Sequence, residues 1–319
     1  MSPNGNGVHP QLLDPAVIGR IELLKLTARR VAEGVLTGLH RSTHRGSSVE
    51  FAEHKPYSPG DDARLIDWKV FAKSDRYTIK QFEDETNIRA IVVLDATASM
   101  EYGSVGSTKL FYGAQLLASL GYLLIRQRDA VGMAALREGI SHYLPPRCRV
   151  SHLNVMIEEL ARLEPVGPTA LPRVLRTLAE KVGRKAFIIV ASDLFDNASE
   201  TQRAMRLLAG RRHEVAVFHL WDPEELKFPF DHQTQFEDME GPVKLAVDPK
   251  GIREEYLKQV GLFMDGWRRG CLESRIDYTP VNIAEPLEDV LHRYLASRSE
   301  RRGAARSAPS ISQSVRGSR

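Results

Sequence analysis

The stretch that decides the fold runs from Asn87 to Met100 and reads NIRAIVVLDATASM. Ile88 to Leu94 form a nearly continuous, β-branched apolar run. A strand with one wet face alternates apolar and polar residues. A run without alternation is typical of a parallel strand buried on both faces. Asp95, Thr97 and Ser99 then alternate directly beyond its apolar end. In a doubly wound sheet, ligands bind beyond the carboxyl ends of the strands, where strand order reverses. One carboxylate and two hydroxyls placed there are hard oxygen donors suited to Mg²⁺, or to Mn²⁺ or Ca²⁺.

The rest of the chain supplies the frame. Further strands are predicted over Asp129–Leu136, Gly139–Leu144, Ala186–Ala191 and Glu214–Leu220. Helices are predicted over about 108–127, 150–163, 169–182 and 200–208. This alternation predicts an α/β fold, with a doubly wound, mostly parallel sheet flanked by helices. Upstream, Asp14 as N-cap and Pro15 at the first helical position start an N-terminal helix that should stop near Gly38. An irregular segment follows it, and Tyr77, Ile79 and Phe82 suggest a strand leading into the sheet. Downstream, a hairpin over Phe236–Val247 turns at Glu240 and Gly241. A long helix over Pro249–Glu273, a strand over Arg275–Tyr278 and a helix over Leu287–Ala296 complete the pattern.

Two later segments extend the oxygen set. Gly167-Pro168-Thr169 offers a third hydroxyl at a helix start, and Ser192-Asp193 ends the apolar strand AFIIVA with a second carboxylate. Three hydroxyls and two carboxylates make a weakly charged octahedral site with an open position. The same hydroxyls also suit plain helix caps and turns. Asp196 either hydrogen-bonds toward this set or caps the next helix.

Taken in order, Asp95, Thr97, Ser99, Thr169 and Asp193 resemble the metal-ion-dependent adhesion site of the von Willebrand factor type A fold. That motif is D-x-S-x-S, then Thr, then Asp. Thr97 stands at the usual first Ser and keeps the hydroxyl. A haloacid-dehalogenase-like phosphotransferase also opens on an Asp after a first strand, but it needs a second Asp where this chain has Thr97.

A second signature lies upstream. Glu53 is followed by Tyr57-Ser58-Pro59-Gly60-Asp61-Asp62-Ala63-Arg64-Leu65-Ile66-Asp67-Trp68. This block resembles the bacterial family called domain of unknown function 58, whose hallmark E-x-x-x-Y-x-x-G-D-D-x-R-x-I-D-W precedes a type A domain. Physically, Asp61, Asp62 and Asp67 surround Arg64, which predicts an ion network with Trp68 as an anchor. The alternative is a partner-facing or metal-facing surface. With the type A-like part, the resemblance covers about Leu24 to Leu295. Together with composition it divides the chain into four segments: a flexible N-terminus (1–13), a helix and family-specific segment (14–86), a type A-like domain (87–296) and, outside the resemblance, a disordered basic tail (297–319).

The resemblance also implies a function. Such a domain binds proteins, the metal accepting a partner's carboxylate, and family members resemble accessory proteins of MoxR-type AAA+ ATPases. An accessory or chaperone-like role in the cytoplasm is therefore expected. The alternative is a metal-dependent hydrolase using Asp95 and Asp193, with His142 and His219 as candidate bases by residue type. No nucleophile elbow or phosphate loop supports another enzyme class. The segment Gly103 to Lys109 reads as a flexible turn and helix cap.

Composition narrows the field. Of the 319 residues 42% are hydrophobic and 27% charged, as in a folded globular chain. The formal charge is +3, but residues 297–319 hold six Arg and one Glu, so the rest of the chain sums to −2. Nucleic-acid binding is thus not expected of the folded body, and only the tail invites it. Two cysteines, Cys148 and Cys271, exclude a disulfide framework. Cys148 lies between Arg147 and Arg149, neighbours that favour a thiolate, but it reads first as an incidental surface thiol. No secretory signal or membrane-spanning stretch is expected.

Overall fold

The computed structural model describes residues 15–43, 55–56, 78–79, 88–168 and 170–307, with side chains over 15–37, 88–168 and 170–301. The chain divides into two compact units, one built on residues 1–35 and 88–319, the other on 36–87. In the smaller unit two short strands, β1 (Lys55–Pro56) and β2 (Thr78–Ile79), pair antiparallel. The block Asp61, Asp62, Arg64, Asp67 and Trp68 lies outside the described residues.

The larger unit is centred on a six-stranded sheet. Its strands are β3 (Arg89–Asp95), β4 (Ala130–Leu136), β5 (Ile140–Arg147), β6 (Phe187–Ser192), β7 (Glu214–Trp221) and, after a separate hairpin of β8 (Thr234–Glu237) and β9 (Lys244–Val247), β10 (Asp277–Asn282). The spatial order is β10-β7-β6-β3-β4-β5. All neighbours are parallel except β4 and β5, which form an antiparallel hairpin at the edge. Pro145 and Pro146 fall in β5, an edge position where a missing N–H is tolerated. From β3 the chain moves to β4 on one side and returns to β6 on the other. Strand order therefore reverses between β3 and β6, and the crevice beyond their ends is the switch point.

Helices cover both faces. In chain order they are α1 (Pro15–Thr43), α2 (Lys109–Arg126), α3 (Val150–Arg162), α4 (Leu171–Lys181), α5 (Ala198–Gly210), a short α6 (Pro223–Lys227), α7 (Pro249–Glu273) and α8 (Leu287–Ser307). One face of the sheet, with Ile91, Val93, Ile188, Val190, Val215 and Val217, packs against Leu175 and Leu178 of α4, Met205 and Leu208 of α5 and Trp267 of α7. On the other face α2 presses close. A Cβ on Gly113 would sit 2.8 Å from the Leu94 side chain, so glycine sets that approach. Tyr294 of α8 packs edge-on against Phe218. The mixed α/β architecture and mostly parallel sheet agree with the expectation from the alternating runs.

Several boundaries move. The strand expected over Arg275–Tyr278 runs over Asp277–Asn282, and the one expected over Gly139–Leu144 runs on to Arg147. The first helix passes through Gly38 to Thr43, because one helical glycine costs only about 1 kcal/mol. The last helix continues past Ala296 to Ser307, into the segment expected to be a disordered tail. Arg298 anchors it, bonding Glu214 (2.6 Å) and Asp277 (3.3 Å) while its guanidinium lies over the Phe187 ring. Arg301 pairs with Asp277 as well. The composition of this segment conceals those anchors because their acidic partners lie at the starts of β7 and β10. Among the described residues, no helix is long and apolar enough to cross a membrane.

Candidate functional site

Three segments meet at the carboxyl ends of β3 and β6. The first is the turn Asp95 to Ser99. Asp95 is the last residue of β3 and fully buried. Its Oδ1 accepts from the Thr97 amide (3.1 Å) and the Thr97 hydroxyl (2.8 Å). Its Oδ2 accepts from the Ser192 hydroxyl at 2.6 Å. Thr97 Oγ1 and Ser99 Oγ stand 3.3 Å apart. Ser99 lies in a single 3₁₀ turn, Ala98–Glu101, and is partly exposed. Asp95, Thr97 and Ser99 are thus brought together as the alternation predicted.

The second segment is the loop before α4. Val166 N–H donates to the Ala96 carbonyl and Ala98 N–H to the Gly167 carbonyl, both at 3.0 Å. Gly167 has φ +84°, a left-handed conformation that suits glycine. Thr169 itself lies outside the described residues.

The third segment follows β6. Ser192 takes a double role, donating to Asp95 and accepting from Leu194 N–H (2.9 Å). Leu194 is fully buried at φ 57°, an uncommon conformation for a non-glycine residue, held by the surrounding packing. Asp193 is buried, and its Oδ2 accepts from Lys109 Nζ at 2.7 Å. Lys109 also donates to Glu225 Oε1 (2.9 Å). Asp196 does not cap the next helix. Its Oδ2 accepts from Leu171 N–H at the start of α4, and Asn197 caps α5 instead.

Lys109 was not singled out from sequence. Its ammonium is 1% exposed and lies 5.2 Å from the centre of the Phe195 ring. Burial lowers its pKa, but Asp193 and Glu225 outweigh that effect and the net displacement is upward. It remains a cation in the wall of the site. The available signal was a lysine at the first position of an otherwise apolar helix face, Lys109 to Tyr112. Glu225 was also missed. It comes from the run Asp222-Pro223-Glu224-Glu225, whose Asp222 caps α6 in a capping box. The Asp222 carboxylate further accepts from the Ser104 amide (2.7 Å) and hydroxyl (2.6 Å). The segment read as a flexible turn is thereby fixed to the rim.

The electrostatics single out Asp95. Burial, reinforced by the charge of Asp193, pushes its carboxyl up to about 7 despite hydrogen bonds from Ser192 and Thr97. Lys109 bonds Asp193 and Glu225, which leaves Asp95 bonded only to neutral donors among the described residues.

A six-coordinate Mg²⁺ with bonds near 2.0–2.1 Å needs neighbouring oxygens about 3 Å apart. The spacings of 2.8 and 3.3 Å along Asp95, Thr97 and Ser99 fit that requirement. Among the described residues, no group of three or more His, Cys, Asp and Glu side chains is arranged to hold a metal. The fitting donors are one carboxylate and two hydroxyls.

The two candidate bases are placed differently. His219 is buried, and burial lowers its imidazole to about 3. A carbonyl can only accept, so Nε2 donates to the Asp193 carbonyl (2.8 Å) and Nδ1 accepts from the Tyr278 hydroxyl (2.7 Å). Both ring nitrogens are committed. His142 is exposed on β5, 3.6 Å from Glu159.

A family model described as "Protein of unknown function DUF58" matches residues 53–261, more than half of the chain. This chain belongs to the DUF58 family. The DUF58 chain is 26% identical over 316 residues to "Uncharacterized protein Rv1480" of Mycobacterium tuberculosis, covering 93% of this chain and 96% of the relative. "Uncharacterized protein Mb1516" of Mycobacterium bovis matches equally. Among solved structures, BatB from Bacteroides thetaiotaomicron is similar at 16% identity with a TM-score of 0.44, over 67% of this chain and 99% of that one. An aerotolerance-related membrane protein from Bacteroides fragilis is similar at 15% identity with a TM-score of 0.42, over 66% and 99%.

Proposed function

We propose that this DUF58 chain is a non-enzymatic protein-binding module of the von Willebrand factor type A kind, whose adhesion site lies at Asp95, Thr97 and Ser99. The observation that carries the reading is Asp95. It is a buried carboxylate held toward two hydroxyls, and its bonded neighbours among the described residues bring it no cation. Mg²⁺, or Mn²⁺ or Ca²⁺, bound there would supply an open coordination position that accepts an anionic oxygen. Thr97 and Asp95 present the inner oxygens, and the part-exposed Ser99 presents the outer one. Thr169 completes the motif by resemblance. Asp193 acts through Lys109, which fixes its carboxylate on the inner side of the site. The partner is a protein that offers a carboxylate. A MoxR-type AAA+ ATPase in the cytoplasm is the class the family resemblance implies, with this chain as an accessory or chaperone-like component. The commitment of both His219 nitrogens supports this reading over a hydrolase that would use His219 as its base.

The test is a pull-down from the native organism with wild type and Asp95→Ala, each with Mg²⁺ and with EDTA. The expected result is an AAA+ partner retained only by wild type in Mg²⁺. The same partners in all four samples would refute the metal bridge. Hydrolysis of generic esters or phosphoesters that is lost in Asp95→Ala would favour the hydrolase.

A further inference from the structure

Ser99 and Lys109 also line a groove of about 430 Å³ whose remaining walls the adhesion-site reading does not use. Its inner end is the ammonium of Lys109, already neutralised by Asp193 and Glu225. Its walls are aromatic. Phe228 stands 4.3 Å from Tyr256 and 5.5 Å from Phe236 between ring centres, and Phe230 meets Phe236 edge-on at 5.2 Å. Phe228 is buried, and the other three are half-buried and line the groove. Its outer rim is the β8–β9 turn, which contributes Glu237, Asp238 and Glu240 along with the exposed Met239. Lys244 offsets Glu237 across the hairpin, and the Asp238 carboxylate is exposed on the same turn. An apolar trough with an anionic mouth matches a ligand that is apolar at one end and cationic at the other. The aromatic walls add cation–π attraction for the same charge.

We propose that this groove binds a segment of a partner protein in which an apolar side chain lies next to an arginine or lysine. The apolar group fills the space between Phe230, Phe236 and Tyr256, and the cation meets Asp238 at the rim. The groove adjoins Ser99, so a partner whose carboxylate reaches the adhesion site passes its neighbouring residues over it. Binding in the groove requires no metal.

The test uses the full chain and three small probes: acetyl-Phe-Arg-amide, acetyl-Phe-Glu-amide and acetyl-Gly-Arg-amide. NMR titration follows the resonances of Phe230, Met239 and Tyr256, once in Mg²⁺ and once in EDTA. The Phe-Arg probe should bind at least ten-fold more tightly than either of the others, equally with and without metal. Asp238→Asn keeps the oxygen that accepts from the Glu240 amide, so the turn is preserved. It should weaken the Phe-Arg probe several-fold, and Phe230→Ala should weaken it more. Equal binding of Phe-Arg and Phe-Glu, shifts that map elsewhere, or no effect of Asp238→Asn would overturn the proposal. Tighter probe binding by an Arg316→Glu, Arg319→Glu double variant would place the chain's own basic tail in the groove and overturn the partner assignment. Metal-independent binding here, together with failure of the Asp95→Ala pull-down, would keep the groove and discard the adhesion site.

Discussion

Burying an ammonium costs several kcal/mol unless carboxylates meet it, and Lys109 meets two. Lys109→Met would leave Asp193 and Glu225 facing an apolar side chain. Stability should fall by about 3–5 kcal/mol, the cost of breaking a buried pair, measured by urea unfolding. Mg²⁺ should raise the melting temperature of this variant more than that of wild type, because the freed carboxylates then have a cation within reach. An equal rise in both would show that the ion and these carboxylates do not communicate. His219 contributes a pH dependence of its own, which the raised carboxyl of Asp95 opposes between about pH 7 and about pH 4. The folded pKa of His219, about 3, lies below the ordinary 6.5. The unfolded chain therefore takes up the proton first as pH falls. The stability that the neutral ring contributes is complete above about 6.5 and is lost toward the folded value, with a limiting slope of about 1.4 kcal/mol per pH unit. His219→Gln should lose less stability than wild type between about pH 7 and about pH 5 in urea unfolding; equal slopes would contradict the assignment. At this scale the sequence was half legible. Asp95, Thr97 and Ser99 declared themselves because they alternate at the end of an apolar strand. Lys109 and Glu225 did not, since a lysine is rarely fully buried and the pair is joined only by the fold.

At the scale of elements, the β4–β5 hairpin fixes the edge of the sheet on the side away from β6. Gly132 is the point of closest approach. A Cβ there would sit 2.3 Å from the Leu144 carbonyl oxygen and 2.7 Å from the Pro146 nitrogen. Both are backbone atoms and cannot swing aside. Gly132→Ala should therefore cost about 1–3 kcal/mol, as overpacking does. Gly139→Ala, in the same hairpin with open space around it, should change stability by less than about 0.5 kcal/mol. Thermal melts of the two variants check the difference. Strands buried on both faces were legible because periodicity vanishes only there. The direction of β5 was legible too, because a tight turn at Arg137 and Glu138 leaves no room for the crossover a parallel neighbour needs; its bulged register was not. The ends of α1 and α8 were misplaced for opposite reasons. Gly38 is a stop signal that the helix overrides, and Arg298 and Arg301 look like tail charges until Glu214 and Asp277 are brought beneath them.

At the scale of the molecule, the doubly wound order brings three distant segments to one crevice, and the aromatic groove continues from it toward the β8–β9 hairpin. The groove was not legible at all. Its walls come from residues 228 to 256, which read separately as a hairpin and a helix start. The basic charge at the C-terminal end is also redistributed, because part of it serves as helix anchors. The central claim is that Asp95, Thr97 and Ser99 hold a divalent cation. It is tested most directly by titrating Mn²⁺ into the metal-stripped full chain and counting bound ions by electron paramagnetic resonance, with Asp95→Ala as the control and melting curves to establish that both are folded. One ion per chain is expected in wild type, displaced by Mg²⁺, and none in the variant. No bound ion in wild type, or the same ion retained by a folded Asp95→Ala, would contradict that claim.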